Sequence, residues 1–340
     1  MKASSLRILT NMVFWQSPLW QAVTTSIYPM KIHAKPDRLH SIIYESWQLF
    51  QQRSSYDIVL TMGARESLAY GMLCAMKGCP SKQIMTEVFI DTPKRGNPLW
   101  HLKTTLYGFV AQRAVGILTN SSDEVVTMAQ RFGLTQEKLR YVPMHSNIEH
   151  PQKSIQNEGF VLSAGRTLRD YALLLKSAPA IRCPIVIICG HKDIRGKHLP
   201  GNVTVLKEAS IETYFDYLNR CSIVVLPLKP SERSTGQVVL LEALARGKPV
   251  VATRTPGTTD LISHGQNGLF IDAGNSQQLS GAVNRLIADA GLASQMGDQA
   301  VRDVLHSHTF ETHARLKLSA IDSLYKQAMT RQHTIEEVIL

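Results

Sequence analysis

Residues 234–253 read STGQVVLLEALARGKPVVAT. Ser234, Thr235, Gly236 and Gln237 form a polar turn, an apolar stretch follows, and Gly247 and Pro249 close it before a β-branched run. A helix that opens on such a turn points unpaired N–H groups and the positive end of its dipole at the loop, which favours an anion there. Glu242 is a lone carboxylate in this apolar helix and needs a partner or a ligand. Two readings follow. One is an ordinary helix-to-strand connection with a surface glutamate. The other is a nucleotide diphosphate on the helix start, with Glu242 accepting hydrogen bonds from ribose hydroxyls.

Neighbouring loops favour the second reading. Ligands of open parallel sheets bind beyond the carboxyl ends of the strands. There the chain places Gly165, Arg166 and Arg169 after one strand-like run, Gly190, His191 and Lys192 after the next, Lys207 and Glu208 after a third, and residues 229–233 after a fourth. Any one of these could be a solvated turn. Together they describe a phosphate pocket, for which guanidinium suits because it stays charged and binds two oxygens at once.

These loops need a scaffold, and the chain supplies alternating elements. Residues 6–14, 56–62, 83–89, 115–119 and 139–142 read as strands, with helical spacing over 37–53, 64–77, 99–114 and 121–132. Ser121 and Glu124 fit a capping box. After a polar break at 145–158, strands are expected at 160–164, 184–189, 203–206, 222–227, 249–253 and 268–271, with two or three helices over 276–326. Such alternation implies parallel sheets covered by helices on both faces.

The 340 residues suffice for two domains, and 44% hydrophobic with 19% charged residues describes a globular chain. No apolar run approaches the ~20 residues that span a bilayer, and the first residues lack the apolar segment of a secretory signal. Five cysteines without a Cys-x-x-Cys pair read as reduced thiols in a cytoplasmic protein. The net charge of +10 is spread along the chain, with 16 Lys/Arg against 10 Asp/Glu in residues 1–150 and 21 against 17 thereafter. That pattern is no basic tail, and no nucleic-acid-binding motif accompanies it. A diphosphate ligand or an anionic membrane surface explains the sign equally well.

From residue 159 to 325 the chain resembles the nucleotide-binding domain of the retaining glycosyltransferases of family 4, of bacterial polysaccharide or glycolipid type. SAGRTLRDY is similar to the family's strand–loop segment, whose arginine and following basic residue hold the diphosphate, roles that fall on Arg166 and Arg169. STGQVVLLEALARGKPVVAT resembles its most specific motif, whose second acidic residue holds the ribose, here Glu242. TPGTTDLISHGQNGLFIDAG is similar to the next loop and strand, with Gly257, Asp260 and Gly268 at matching places. The resemblance implies an α/β GT-B fold, with two Rossmann-like parallel-sheet domains facing across a cleft. Residues 1–150 would form the acceptor-side domain and 151–310 the nucleotide-sugar domain, with a helix over 311–340 returning to the first. Gly165, Gly190, Lys207, Ser234, Thr235, Gly236 and Gln237 would line the sugar-nucleotide pocket.

The family's first glutamate, eight residues before Glu242, is replaced by Ser234, which leaves the sugar contact open. Glu232 is either a nearby substitute or a solvated loop residue. In the first half, residues 11–16 stand where the family has a glycine-rich loop. Its usual histidine is absent, and Glu87 and Asp91 lie in that region as acceptor-side candidates, with Trp15.

The implied reaction is hexosyl transfer from a nucleotide diphosphate to a hydroxyl with retention of configuration. It needs neither cofactor nor metal; no Asp-x-Asp pair occurs, and the common hydrolase and ATPase motifs are absent. UDP-sugar is favoured over GDP-sugar on family frequency, and the acceptor is expected to be a saccharide or lipid-linked saccharide. Residues 94–103, basic around Trp100, either pack into their own domain or rest on an anionic membrane at the inner face of the plasma membrane. Two alternatives stay open, a GT-B sugar-nucleotide epimerase and a non-catalytic partner subunit that binds a nucleotide or an anionic surface.

Overall fold

The computed structural model describes residues 6–12, 17–28, 38–91 and 96–339, excepting the side chains of 38–40 and 332–339. The chain divides into two units, Met1–Pro143 with Glu311–Leu340, and Met144–Phe310.

The first unit holds a parallel sheet of β1 (Ile8–Thr10), β2 (Thr24–Ser26), β3 (Ile58–Met62), β4 (Gln83–Thr86), β5 (Gly116–Thr119) and β6 (Leu139–Tyr141), in the order β2-β1-β3-β4-β5-β6. Its helices are α1 (Pro18–Gln21), α2 (Arg38–Gln52), α3 (Ala64–Met76), α4 (Pro98–Arg113) and α5 (Ser122–Phe132). The second unit holds β7 (Val161–Ala164), β8 (Ile185–Cys189), β9 (Val203–Lys207), β10 (Ile223–Leu226), β11 (Val250–Thr253) and β12 (Gly268–Ile271). These are parallel in the order β12-β11-β10-β7-β8-β9. Between and after them run α6 (Tyr171–Ser177), α7 (Ile211–Arg220), α8 (Gln237–Ala245), α9 (Ser276–Ala288) and α10 (Ala290–Ser307). The last helix, α11 (Phe310–Ile339), belongs to the first unit from Glu311 onward; its Ala314, Ile321 and Leu324 pack with Ile8, Ile58 and Leu60.

Strands buried on both faces read as apolar runs, and the side-chain period of two sorts them into two cores. Leu162, Ala164, Val224, Leu226, Val250 and Ala252 join residues of α7, α8 and α10 on one face. Val161, Ile223, Val225 and Val251 join α6 and α9 on the other. Because β7 lies between β8 and β10, the chain leaves it toward one side of the sheet and later returns on its other side. Such a reversal opens a crevice at the carboxyl ends of the two central strands, the usual ligand site of this architecture.

Several local expectations shift. The strand expected over 6–14 is confined to Ile8–Thr10, and residues 13–16, with Trp15, lie outside the described residues. Trp20 is a core residue. The strand expected to reach residue 89 stops at Thr86, because Glu87 adopts a φ of +55° that a strand cannot continue. α1 and β2 were not anticipated; four and three residues carry too little periodicity to stand out. No capping box forms at α5: the Ser121 side chain makes no capping bond, and Glu124 Oε2 accepts instead from the Asn120 N–H at 3.2 Å. The polar break is not free linker, since Ile148 is buried and the N–H groups of Gln152 and Ser154 bond to the carbonyls of Ala245 and Arg246.

The position of α8 is set by close approach of α10. A methyl group on Gly297 would lie 2.2 Å from the Gly247 carbonyl oxygen, a backbone atom that cannot swing aside. Overpacking of this kind costs about 1–3 kcal/mol, against at most ~1 kcal/mol of helix propensity gained by alanine. Gly297→Ala is therefore expected to lower the urea midpoint of unfolding without changing its slope.

Candidate nucleotide-binding site

The loops after β7 and β10 meet through backbone. The Asp170 N–H donates to the Pro227 carbonyl at 2.8 Å, the Lys229 N–H donates to the Leu168 carbonyl at 2.9 Å, and Arg169 bridges to Leu228. Gly165 turns the chain off β7 at a φ of +116°, and the Tyr171 hydroxyl donates to its carbonyl at 2.6 Å. Arg169 lies inside this turn, 8% exposed. Its Nε donates to the Ala164 carbonyl at 2.8 Å and its Nη1 to that of Thr167 at 3.0 Å. A Cβ on Gly165 would fall 2.4 Å from its Nη2, so glycine is required to admit the guanidinium. Burial lowers the pKa of Arg169. Of the two arginines to which the resemblance gives the diphosphate, Arg169 is buried and braces the loop, whereas Arg166 is exposed.

Arg166 extends from the same turn with its side chain 62% exposed, paired to Glu208. Beside it, Gly190 leads off β8, its N–H donating to Asp193 Oδ2 at 2.8 Å, and the His191 N–H donates to Glu208 Oε1 at 3.1 Å. Lys207 ends β9 with an exposed side chain.

On the other side of the crevice the turn before α8 is packed tightly. Gly236 caps the helix in the left-handed conformation at a φ of +82°, and Ser234, Thr235 and Gln237 are buried. Two turns into α8, Glu242 is 3% exposed. The Tyr214 hydroxyl donates to its Oε2 at 2.7 Å, and the Asn147 amide donates to its Oε1 at 3.1 Å. Burial raises the carboxyl pKa, and these two bonds pull it back. Sequence reasoning missed Asn147 and Tyr214. Asn147 sits in the polar break, and Tyr214 reads as one apolar residue on an amphipathic helix.

A pocket of ≈ 560 Å³ lies at the opposite, amino edge of this sheet, beside Ile223 and Pro249. Its buried Lys248 spends its N–H groups on the carbonyls of Gln156, Asn219 and Cys221. The chemistry-bearing loops are all at the carboxyl edge instead.

In the first unit, Glu87 is half-buried one residue past β4. Lys317 of α11 is buried with its pKa pushed down to about 8, and Glu87 acts on it in the opposite sense. Asp91 is exposed, and its carbonyl accepts the Trp100 indole N–H at 3.1 Å. The same sheet edge carries a bonded cluster not anticipated from sequence: Asn11 Nδ2 donates to the buried Glu45 at 2.6 Å, and Asn11 Oδ1 accepts the Met62 N–H at 2.7 Å.

Residues 159–289 match the family described as glycosyl transferases group 1. A D-inositol 3-phosphate glycosyltransferase of Corynebacterium jeikeium is 28% identical over 252 residues, 64% of this chain and 58% of its own length. An Acidothermus cellulolyticus protein of the same name is 31% identical over 105 residues, 31% of this chain and 22% of its own. The chain thus spans less than two thirds of either relative's length. Among solved structures, Anabaena HepE in complex with UDP is similar with a TM-score of 0.63 at 17% identity, covering 85% of this chain and 82% of that one. At that identity the likeness is one of fold. The two six-stranded parallel sheets with flanking helices are the GT-B glycosyltransferase architecture.

A carboxyl whose folded pKa is raised supports the fold below its unfolded pKa and loses that support as pH rises through the folded value. Ionised Glu242 is thus a cost near neutrality. Glu242→Gln is expected to melt above the parent protein at about pH 8, with the difference shrinking toward about pH 4. Thermal unfolding across that range checks it, and a difference that grows toward acid would contradict the assignment.

Proposed function

We propose that the chain is a retaining, metal-independent glycosyltransferase that moves a hexosyl group from a UDP-sugar to a hydroxyl of a saccharide acceptor. The observation that carries this is an exposed guanidinium, Arg166, on the loop after β7 and a buried, pre-oriented carboxylate, Glu242, in α8, on elements that flank one sheet crevice. In this reading Arg166 and the N–H groups at the start of α8 meet the diphosphate, and Glu242 accepts from the ribose hydroxyls. Charge that grows on the leaving diphosphate is met by groups already in place, which is how fixed dipoles and cations lower such barriers. Attack from the face of the departing phosphate, with a phosphate oxygen taking the acceptor proton, needs no carboxylate nucleophile. The UDP complex of HepE and the matches to D-inositol 3-phosphate glycosyltransferases support the substrate class.

The acceptor is assigned to the carboxyl edge of the first sheet, near Glu87, and a lipid-linked saccharide is the form that suits α4. There Leu99 and Leu102 are 74% and 58% exposed, while Trp100 is tied to its own unit through Asp91. Exposed leucines next to Lys103 suit an anionic membrane surface. No helix among the described residues is long and apolar enough to cross a membrane.

Titration calorimetry with UDP and assay of UDP release from UDP-sugars test the proposal. Charge-assisted hydrogen bonds contribute about 1.5–3 kcal/mol, so Arg166→Ala is expected to weaken UDP binding by roughly 10- to 100-fold. Absence of nucleotide binding by the parent protein would refute the reading. Normal binding with no turnover over a panel of saccharides would favour the non-catalytic subunit, the reading that Ser234 in place of a glutamate suggests.

A further inference from the structure

We propose that Glu208 is a resident anion that occupies the diphosphate place on Arg166 and is exchanged when the sugar nucleotide enters. The inference rests on the reading of Arg166 as a diphosphate ligand and adds a positioning residue to it.

The carboxylate of Glu208 bridges two donors that belong to different loops. Its Oε2 pairs with the Arg166 guanidinium from the β7 loop, and its Oε1 accepts the His191 N–H from the β8 loop at 3.1 Å. A guanidinium and a backbone N–H converging on one pair of oxygens is the donor set that phosphates take. The geometry is built closely around this carboxylate. A Cβ on Gly190 would lie 3.2 Å from Glu208 Oε1 and 3.5 Å from Arg166 Cδ. Glu208 itself holds a φ of +52°, uncommon for a residue with a side chain, one position past the end of β9.

The pair is nonetheless easy to open. Arg166 and Glu208 side chains are 62% and 42% exposed, and ion pairs at that exposure contribute little to stability. Diphosphate offers Arg166 a stronger, bidentate partner. Until it arrives, the carboxylate keeps the guanidinium extended over the β8 loop. Once displaced, Glu208 is a negative charge beside a diphosphate, and it opposes binding.

The test is the affinity for UDP, inorganic pyrophosphate and uridine, by calorimetry, of the full chain, of Glu208→Gln and of Glu212→Gln. The last removes the same charge from the first turn of α7. Glu208→Gln is expected to bind UDP and pyrophosphate about two- to five-fold tighter than the parent protein, with uridine unchanged. A merely structural role for Glu208 would weaken binding, so unchanged or weaker affinity overturns the proposal. Equal tightening in Glu212→Gln shows a general charge effect, and tightening toward uridine shows a contact to the base; either also overturns it. If the parent protein binds UDP and Glu208→Gln fails to tighten, only this inference falls. If the parent protein binds neither UDP nor pyrophosphate, the diphosphate reading falls with it.

Discussion

The backbone bonds between residues 168–170 and 227–229 are the constraint on which the rest of the second unit's crevice depends. Neither loop is in regular structure, and each would otherwise leave its polar groups to solvent. Tied together, they fix where β7 delivers Arg166 and where β10 delivers the turn before α8. Arg169 then fills the inside of the β7 turn and satisfies two of its carbonyls, which makes a bend through Gly165 affordable in hydrogen bonds. A cation buried 8% exposed among carbonyls is a structural choice with an electrostatic result. It leaves positive charge under a loop whose outer face carries a second guanidinium.

Glu242 shows the tension between folding and chemistry most plainly. The other buried positions of α8 are apolar except Gln237, and an alanine at 242 would pack without desolvating a charge. The chain instead keeps a carboxylate there and supplies it with two donors, from α7 and from the segment that precedes β7. One bond to each oxygen fixes the orientation and leaves lone pairs unused, since an ionised carboxylate has about four acceptor sites. A group held in this way is poised to accept further hydrogen bonds without rearranging, and it destabilises the fold near neutrality.

Much of the architecture was legible from sequence because it rests on local, strong signals. The strands of the second unit are short β-branched runs bounded by turns, and nearly every expected one has its counterpart from β7 to β12. The alternation pointed to parallel sheets covered by helices, and the GT-B class was what the family resemblance implied. What stayed hidden depends on contacts distant in the chain. Asn147 lies 95 residues from Glu242 and Tyr214 lies 28 away, and nothing in their neighbours marks either as a carboxylate partner. A spacing of three residues says nothing about which of the Arg166 and Arg169 guanidinium groups turns inward. That choice is made by Gly165, whose missing side chain is the space the guanidinium uses. In the first unit β2 and α1 are too short for periodicity to report, and β1 is a three-residue part of the longer strand expected there.

Ser234 stands where the family resemblance implies a glutamate, and the packing around it limits what that difference can mean. The residue is 2% exposed, and the turn holding Gly257 presses against it: a Cβ there would lie 2.9 Å from both the Ser234 Cβ and the Thr235 nitrogen. Gly257, at a φ of +91°, lets the two turns approach to that distance. A glutamate at 234 would have to carry three more heavy atoms out of this contact, so the serine is fitted to the closed packing of the two turns. On the proposed reading, any carboxylate that meets the transferred sugar must then come from elsewhere. Glu232 is exposed two residues earlier on the same loop. The serine thus belongs to a compact turn before α8, and on the proposed reading Arg166 and Glu242 remain the groups that would meet diphosphate and ribose.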